Sequence, residues 1–485
     1  MNINNHNNII SLIFIAFFIA SCNDDSEPDP NVVLIVVDDL GYADMSCTTL
    51  ASDVKTPNID LLAESGVRFT QAYATSPICS PSRGGLITGC YHERWGTYWY
   101  GGPGLHINEF KTIAEVLKER NYTTGYVGKV HYGIHDSDTT HRSFPLNHGF
   151  DYYYGHTSAR KHYLNHKTEI EDRFQKVKEE YERTGQSLKQ QPLWENFKHV
   201  DTIAFTTELF GMKACEFIEN NRNKKFFLQL SFNAVHNFTH QLPKAYLHAN
   251  NLSGYHDWDP ATENYYEWYK AGRYPNNPEG RAHYLGQLSF MDNAIGSVIE
   301  CLKQEELYEN TLLVFIGDNG GSTPIYANNY PLRGSKYLLY EGGIRVPVIV
   351  AYPEKFNEGE VIDNMISGMD ILPTICKVVG IEPPENIDGF DLSELLTGKD
   401  LDKQHDTLIW DTGHETAVRA GKWKYHTVIN DRHAQYEMVE LEVGEFLVDL
   451  EDNPGETINL KDEYPEVFKK LRDTHLKWKE EMMSR

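Results

Sequence analysis

The sequence is poor in cysteine and in basic residues. Its 485 residues include 7 cysteines, at positions 22, 47, 79, 90, 215, 301 and 376. This number is too small for a disulfide framework, although a single bridge remains open. Lysine and arginine number 45 against 70 aspartate and glutamate residues, which gives a formal net charge of -25. Such a chain is not expected to bind nucleic acid, and a site for an anionic substrate would have to be a local concentration of cations.

Long hydrophobic runs are also scarce. One apolar run occupies residues 9–20 and is shorter than a membrane-spanning helix requires. It ends in small residues before Cys22, which resembles a bacterial lipoprotein signal in which residues 1–21 are removed and Cys22 is lipidated. No lysine or arginine precedes the run, so an ordinary cleaved signal peptide is the alternative.

Both interpretations predict export to the cell envelope. Lipidation predicts a membrane anchor, with the protein on the outer membrane and open to the cell surface, whereas simple cleavage predicts a periplasmic protein. Residues 22–30 are acidic and contain two prolines, which predicts a flexible tether.

Two uninterrupted hydrophobic runs predict strands that are buried on both faces. They occupy Asn31–Val37 and residues 311–316, and neither alternates with polar residues. Apolar residues at helical spacing in 112–119 and 285–304 predict helices between strands. This alternation predicts an α/β fold, a large doubly wound mixed sheet flanked by helices, for a catalytic domain at residues 31–404.

The α/β pattern of the sequence ends near residue 405, which predicts a smaller C-terminal subdomain at residues 405–485. β-prone segments at 419–428 and 446–450 precede an amphipathic segment at 466–482, which predicts an antiparallel sheet covered by a helix. Two regions interrupt the α/β pattern before it. Residues 159–200 are charged and helix-prone, and residues 245–281 are rich in aromatics that either pack a surface excursion or stack on sugar rings.

Acidic and amide side chains directly follow both predicted buried strands. Asp38 and Asp39 follow the first, and Asp318 and Asn319 follow the second. Ligands in doubly wound sheets bind at the carboxyl ends of strands. Oxygen donors without neighbouring histidine or cysteine indicate a hard cation, and an all-protein oxygen cage favours calcium over magnesium. The alternative is that each pair caps a turn.

A cysteine precedes a predicted helix. The segment CSPSR occupies 79–83, and residues 82–89 can begin a helix with Cys79 at its positive end, a geometry that favours a bound anion. Pro81 suits a first helical turn, and Arg83 can bond the side chain of residue 79. The alternative is a buried loop cysteine followed by a turn proline and a solvated arginine.

This segment and six others resemble the motifs of formylglycine-dependent (type I) sulfatases of the alkaline phosphatase-like superfamily, including bacterial enzymes that degrade polysaccharides. In family order, the others are DDLGY at 38–42, GCY at 89–91, GKVHYG at 128–133, GDNG at 317–320, LRGSK at 332–336 and YEGGIRVP at 340–347. The resemblance covers nearly the whole mature chain.

The resemblance implies that Cys79 is oxidised to formylglycine (3-oxoalanine) by a formylglycine-generating or sulfatase-maturating enzyme. The modified residue would be both nucleophile and metal ligand, and Arg83 would stabilise it. The implied calcium ligands are Asp38, Asp39, Cys79, Asp318 and Asn319.

The same resemblance implies roles around the sulfate group. Lys129 and Lys336 would hold the sulfate oxygens, and His131 would take a proton from the second hydroxyl of the modified residue. His236, alone or with Lys336, would protonate the leaving alcohol. The family's proline before this histidine is missing, so His240 is a rival, and Tyr337 stands where the family often has glycine.

The implied activity is hydrolysis of sulfate esters on a sulfated polysaccharide or its oligosaccharides. Marine algal glycans such as ulvan fit this expectation, and animal glycosaminoglycans stay open. One alternative is a phosphodiesterase or phosphonate monoester hydrolase of the same superfamily. Another is a lipoprotein that binds glycans without turning them over.

Overall fold

The computed structural model describes residues 29–105, 109–157, 159, 163–164, 193–254, 256, 262–399, 405–430 and 441–483. The predicted signal peptide, Cys22 and most of the predicted tether lie outside the described residues, as does most of the charged insertion. No helix of the described ranges combines the length and apolar character needed to cross a membrane.

A mixed sheet of 10 strands forms the centre of the molecule. Its strands are β1 (Asn31–Val37), β2 (Val67–Tyr73), β3 (Thr123–Lys129), β4 (Tyr152–His156), β5 (Leu193–Glu195), β6 (Lys198–Val200), β7 (Phe226–Ser231), β8 (Thr311–Gly317), β9 (Val348–Ala351) and β10 (Glu360–Ser367). Their spatial order is β10-β2-β9-β8-β1-β7-β3-β4-β5-β6. The neighbours β8, β1, β7, β3 and β4 are mutually parallel, so their carboxyl ends face the same edge.

Helices cover both faces of this sheet. They are α1 (Pro57–Glu64), α2 (Cys79–Thr88), α3 (Ile113–Lys118), α4 (Thr206–Asn221), α5 (Lys244–Ala249), α6 (Tyr265–Ala271), α7 (Gly280–Gln304), α8 (Glu341–Ile344), α9 (Ile371–Val378) and α10 (Ser393–Leu396). One hydrophobic core packs α1, α4 and α7 against the sheet, and the other packs α2, α3 and α9 against the opposite face. β1 contributes alternate residues to both cores, which explains its unbroken run of apolar side chains.

A separate antiparallel sheet of 4 strands follows near the C-terminus. It consists of β11 (Leu408–Asp411), β12 (Glu415–Ala420), β13 (Trp423–Val428) and β14 (Gly444–Asp449), and α11 (Pro465–Met483) covers it. Leu471, Trp478 and Met482 of α11 pack on Val418, Tyr425 and Leu447 of the sheet. The predicted fold class, a large mixed sheet with a smaller sheet-plus-helix unit, is therefore confirmed.

Several predicted elements differ from the structure at their ends. Segment 419–428 is a hairpin, because Gly421 adopts a φ of 56° and turns the chain between β12 and β13. Helix α2 begins at Cys79, three residues before the expected start. Its first helical hydrogen bond runs from the Ser82 N–H to the Ile78 carbonyl. Pro81 lies in the first turn of the helix, where backbone N–H groups have no intrahelical acceptor, so its missing N–H costs no helical hydrogen bond.

A buried ion cluster joins the small sheet to the large one. Lys424 of β13 is fully buried, and its Nζ lies 3.0 Å from Glu341 Oε1 and 2.8 Å from Glu456 Oε1. Glu341 also accepts a hydrogen bond of 2.6 Å from the hydroxyl of Tyr73, at the end of β2. Lys424 is the central cation of this contact, since it bridges both carboxylates.

Replacing Lys424 by methionine is expected to lower the free energy of unfolding by about 3 to 5 kcal/mol, because two carboxylates would be left buried without their shared cation. Urea denaturation followed by tryptophan fluorescence measures the change. The control is Lys477→Met, whose side chain is 80% exposed, and it should change stability by less than about 0.5 kcal/mol. A Lys424→Met protein as stable as this control would contradict the expectation.

Candidate active site

Four adjacent parallel strands bring most of the predicted site residues to one edge of the large sheet. In the strand register, Val37 pairs with Gly317 and Val36 with Ser231, so β1, β8 and β7 end at nearly the same level. The residues delivered by the strand ends are Asp38 and Asp39 after β1, Asp318 and Asn319 after β8, Lys129 at the end of β3, His131 after β3, and His236 in the loop after β7.

Cys79 lies at the first position of α2 and points into this group of residues. Its side chain is 2% exposed, and its Sγ lies 3.3 Å from Asp38 Oδ1 and 3.1 Å from Lys336 Nζ. Burial, followed by the charges of Asp318 and Asp38, raises the pKa of the thiol well above its usual value. An unmodified Cys79 is therefore a neutral thiol, which is a poor nucleophile.

Arg83 holds several of the strand ends together. Its Nε donates to Asp318 Oδ2 at 2.8 Å, and its Nη1 donates to the Lys129 carbonyl at 3.0 Å and to Ser231 Oγ at 2.6 Å. Its Nη2 makes no hydrogen bond within the described residues and lies 3.9 Å from Asp38 Oδ1. Ser231, the last residue of β7, was not among the predicted site residues, and its position at the end of a buried strand was the available signal.

The two predicted sulfate-binding lysines contact the two carboxylates that follow β1. Lys129 Nζ pairs with Asp38 Oδ2, and Lys336 Nζ lies 2.7 and 2.9 Å from the two carboxylate oxygens of Asp39. Both lysines are buried. Burial and the neighbouring Asp318 raise the pKa of Asp38 to about 7, although Lys129 opposes the rise.

The two histidines differ in their surroundings. Burial, with the charges of Lys129 and Arg83, holds the pKa of His131 well below its usual range, so this imidazole is neutral near pH 7. Its Nδ1 has no hydrogen-bond partner among the described residues. His236 Nε2 lies 3.7 Å from Asp39 Oδ2. Its rival, His240, instead packs against Trp268 with ring centroids 5.9 Å apart.

The cluster contains a set of donors suited to a metal ion. One ligand atom from each of Asp38, Asp39, Cys79 and His236 lies within 4.8 Å of the others. Asn319 Oδ1 is buried and accepts no hydrogen bond within the described part of the chain. Asp318 is already engaged, because its Oδ2 accepts from Arg83 and its Oδ1 from the Asp39 N–H at 3.3 Å. Carboxylate and amide oxygens predominate, which fits a hard divalent cation.

Three residues beside the cluster adopt left-handed backbone conformations. The φ angles are 58° for Asp39, 53° for His131 and 73° for Tyr337. A left-handed conformation costs a non-glycine residue about 1 kcal/mol or more and is concentrated at functional sites. Two of these three residues, Asp39 and His131, are predicted site residues.

The strand ends of this α/β sheet bring together buried carboxylates, buried lysines and a cysteine at the start of a helix. This combination is typical of a hydrolase that acts on anionic esters. The Sulfatase family model matches residues 30–381, and the model for the C-terminal region of N-sulphoglucosamine sulphohydrolase matches residues 334–481. The chain belongs to the sulfatase family, in the alkaline phosphatase-like superfamily, and is a sulfuric ester hydrolase.

Individual relatives agree with this family. Arylsulfatase A of Homo sapiens is 29% identical over 487 residues, which cover 92% of this chain and 87% of the relative. The crystal structure of Ps i-CgsB in complex with k-i-k-neocarrahexaose is similar with a TM-score of 0.74 and 28% identity, over 93% of each chain.

The fold alone does not separate sulfatases from their superfamily neighbours. The phosphonate monoester hydrolase of Agrobacterium radiobacter has a TM-score of 0.63 at 20% identity, and the match covers 93% of this chain and 96% of that chain. Its similarity shows a shared architecture. The assignment of sulfate esters as the substrate class rests on the family matches together with the site.

Proposed function

We propose that this protein hydrolyses sulfate esters on a sulfated polysaccharide or its oligosaccharides, with calcium and a formylglycine derived from Cys79. The observation that supports this most is the position of Cys79. It lies at the start of α2, between Asp38 and Lys336, where four strand ends place oxygen ligands and cations together.

The proposed calcium ligands are Asp38, Asp39, Asp318, Asn319 and the modified Cys79. Two observations support this set: Asn319 Oδ1 accepts no hydrogen bond from the described residues, and Asp38, Asp39 and Cys79 lie in one group. A bound divalent cation would stabilise negative charge that develops on the sulfate oxygens. His236 lies in the same group, so its position is compatible either with the metal or with the leaving alcohol.

The proposed formylglycine replaces a thiol that its surroundings keep neutral. When hydrated, formylglycine at position 79 would supply one hydroxyl that could displace the alcohol from sulfur. Loss of a proton from its second hydroxyl would reform the aldehyde as the C–O bond to the sulfate breaks. Arg83 holds Asp318 and faces Asp38, so it fixes the carboxylates that surround residue 79. The positive end of α2 adds favourable potential for a bound anion.

The remaining side chains bind charge and move protons. Lys129 and Lys336 are buried cations and would each contact sulfate oxygens. The lowered pKa of His131 keeps its imidazole unprotonated, the form in which a general base acts, and its Nδ1 has no hydrogen-bond partner within the ranges that the structure describes. His236 is the proposed donor to the leaving alcohol, and its Nε2 at 3.7 Å from Asp39 Oδ2 supports this choice over His240.

The proposal of a carbohydrate substrate rests on similarity. Ps i-CgsB, which is 28% identical to this chain, has a crystal structure in complex with k-i-k-neocarrahexaose. We extend this to marine algal polymers as a class, ulvan included. We also propose that a formylglycine-generating or sulfatase-maturating enzyme modifies Cys79. A lipid on Cys22 would anchor the protein to the membrane, and Cys22 lies outside the described part of the chain.

Sulfate release from a panel of carrageenan, ulvan, fucoidan and chondroitin sulfate oligosaccharides tests the substrate class. We expect release from at least one algal oligosaccharide, measured by ion chromatography. Hydrolysis of para-nitrophenyl sulfate should also exceed hydrolysis of bis-para-nitrophenyl phosphate, by about a hundredfold in kcat/KM. A preference for the diester would favour a phosphodiesterase. Absence of release from every oligosaccharide, with formylglycine present, would refute the carbohydrate assignment.

A further inference from the structure

Four aromatic side chains from three separate segments meet beside the site. Trp99 and Tyr100 come from the loop after α2, Tyr337 follows Lys336, and His414 lies in the turn between β11 and β12. The ring centroid of Trp99 lies 5.7 Å from Tyr100, 5.8 Å from Tyr337 and 5.5 Å from His414. Trp99 is therefore the centre of the group.

The group adjoins the proposed sulfate position directly. Lys336 Nζ lies 5.5 Å from the centre of the Tyr337 ring, and the same Nζ contacts Cys79 Sγ at 3.1 Å. The Tyr337 N–H donates to the Pro77 carbonyl at 2.9 Å, which ties this residue to the chain just before α2. A molecule with its sulfate near Lys336 would extend over these rings.

The rings are accessible to solvent, unlike many aromatic groups of this protein. Tyr100 is 56% exposed, and Trp99, Tyr337 and His414 are each partly exposed. By contrast, the aromatic contact of Tyr126 with Tyr153 is fully buried in the core. Partly exposed aromatics next to a charged pocket are typical of a binding surface.

The conformation of Tyr337 adds an independent argument. Its φ of 73° lies in the left-handed region, where glycine carries no strain and tyrosine does. This backbone conformation holds the Tyr337 ring with its centre 5.5 Å from Lys336 Nζ and 5.8 Å from the centre of the Trp99 ring. The ring of Tyr337 provides the surface between Lys336 and Trp99.

We propose that Trp99, Tyr100, Tyr337 and His414 form a stacking platform that binds a sugar ring of the sulfated saccharide. This inference rests on the proposed function and adds the part of the site that recognises the carbohydrate. A sugar ring has an apolar C–H face that can pack flat on an aromatic ring while its hydroxyls stay in water. The adjoining cations select a saccharide that carries sulfate. Because His414 belongs to the small sheet, the C-terminal unit shares in substrate binding.

The test compares Trp99→Ala and Tyr100→Ala with Tyr464→Ala. Tyr464 is a matched control, since it is 40% exposed and its ring packs at a tilt against Trp423. Trp423 pairs with Ala420, at the end of β12 that lies away from His414. Steady-state kinetics are measured with para-nitrophenyl sulfate and with the panel oligosaccharide that the wild type desulfates fastest. We expect each platform variant to raise KM for the oligosaccharide about tenfold with kcat within about twofold, and to raise KM for para-nitrophenyl sulfate less, because one aryl ring covers less of the platform than a saccharide does. The control should match the wild type on both.

Each other outcome overturns the inference in a recognisable way. An unchanged oligosaccharide KM in both variants refutes the platform and leaves the sulfatase proposal standing. A loss of kcat on both substrates shows that the rings support the catalytic centre rather than the sugar. A wild type that desulfates no oligosaccharide removes the proposed carbohydrate function and the platform together. If Trp99→Ala fails to fold, the exposed Tyr100→Ala variant decides alone.

Discussion

Cys79→Ala is expected to reduce turnover of para-nitrophenyl sulfate by about ten-thousandfold or more, because it removes the proposed nucleophile. The fold should persist, since alanine fills most of the space of a buried cysteine and relieves contact with carboxylates. Turnover is measured by steady-state absorbance, and thermal unfolding verifies the fold. Mass spectrometry of the wild-type peptide should find an aldehyde at position 79.

Cys90→Ala is the matched control for this experiment. Cys90 is also buried and lies just after α2, but its Sγ contacts the carbonyls of Thr88 and Asn386 rather than the site. It should retain nearly full turnover. Retained activity in Cys79→Ala, or only thiol at position 79 in an active preparation, would refute the mechanism.

Removal of divalent cations is expected to lower turnover by about a hundredfold or more, and added calcium should restore it. The reason is electrostatic. Asp38 and Asp39 offer ligand oxygens within 4.8 Å of each other, and Asp318 lies beside them. A bound cation would offset their repulsion and stabilise charge on the sulfate. Turnover is measured after chelation with EDTA and dialysis, with metal content determined by mass spectrometry.

Two controls sharpen this result. EDTA saturated with calcium should have no effect, and Asp39→Asn should bind calcium more weakly even though its shape is nearly unchanged. Full turnover in protein shown to contain no metal would exclude the proposed role of calcium. Better restoration by magnesium than by calcium would contradict the choice of ion.

The sequence predicted the fold class because its signals were strong and local. β1 is a continuous apolar run, and its observed bounds are the predicted ones, since a strand buried on both faces leaves no ambiguity. The start of α7 was harder to predict, since the sequence pattern placed it at residue 285 and the helix begins at Gly280. Its first turn at Gly280 follows a region rich in aromatics and proline, and the helix is fixed there by packing of residues such as His283 and Tyr284.

The site was predictable where residues follow strands directly. Asp38 and Asp318 lie side by side because their strands are neighbours in register, which a strand-end argument anticipates. The aromatic group around Trp99 was not predictable in this way. Its members are separated by more than 300 residues of sequence, from Trp99 to His414, and only tertiary packing brings them together. Trp268 of the aromatic-rich excursion is buried against Phe238, which favours packing over sugar stacking at that position.

The burial of Cys79 sets an order of events during biosynthesis. Residue 79 is 2% exposed and belongs to the first turn of α2, so its backbone is not available in extended form to another enzyme once the domain has folded. The chain must still add 239 residues after Cys79 before Asp318 exists, as the positions 79 and 318 show. If Cys79 is oxidised as we propose, the oxidising enzyme acts on an extended chain, and folding then brings the modified residue into the site.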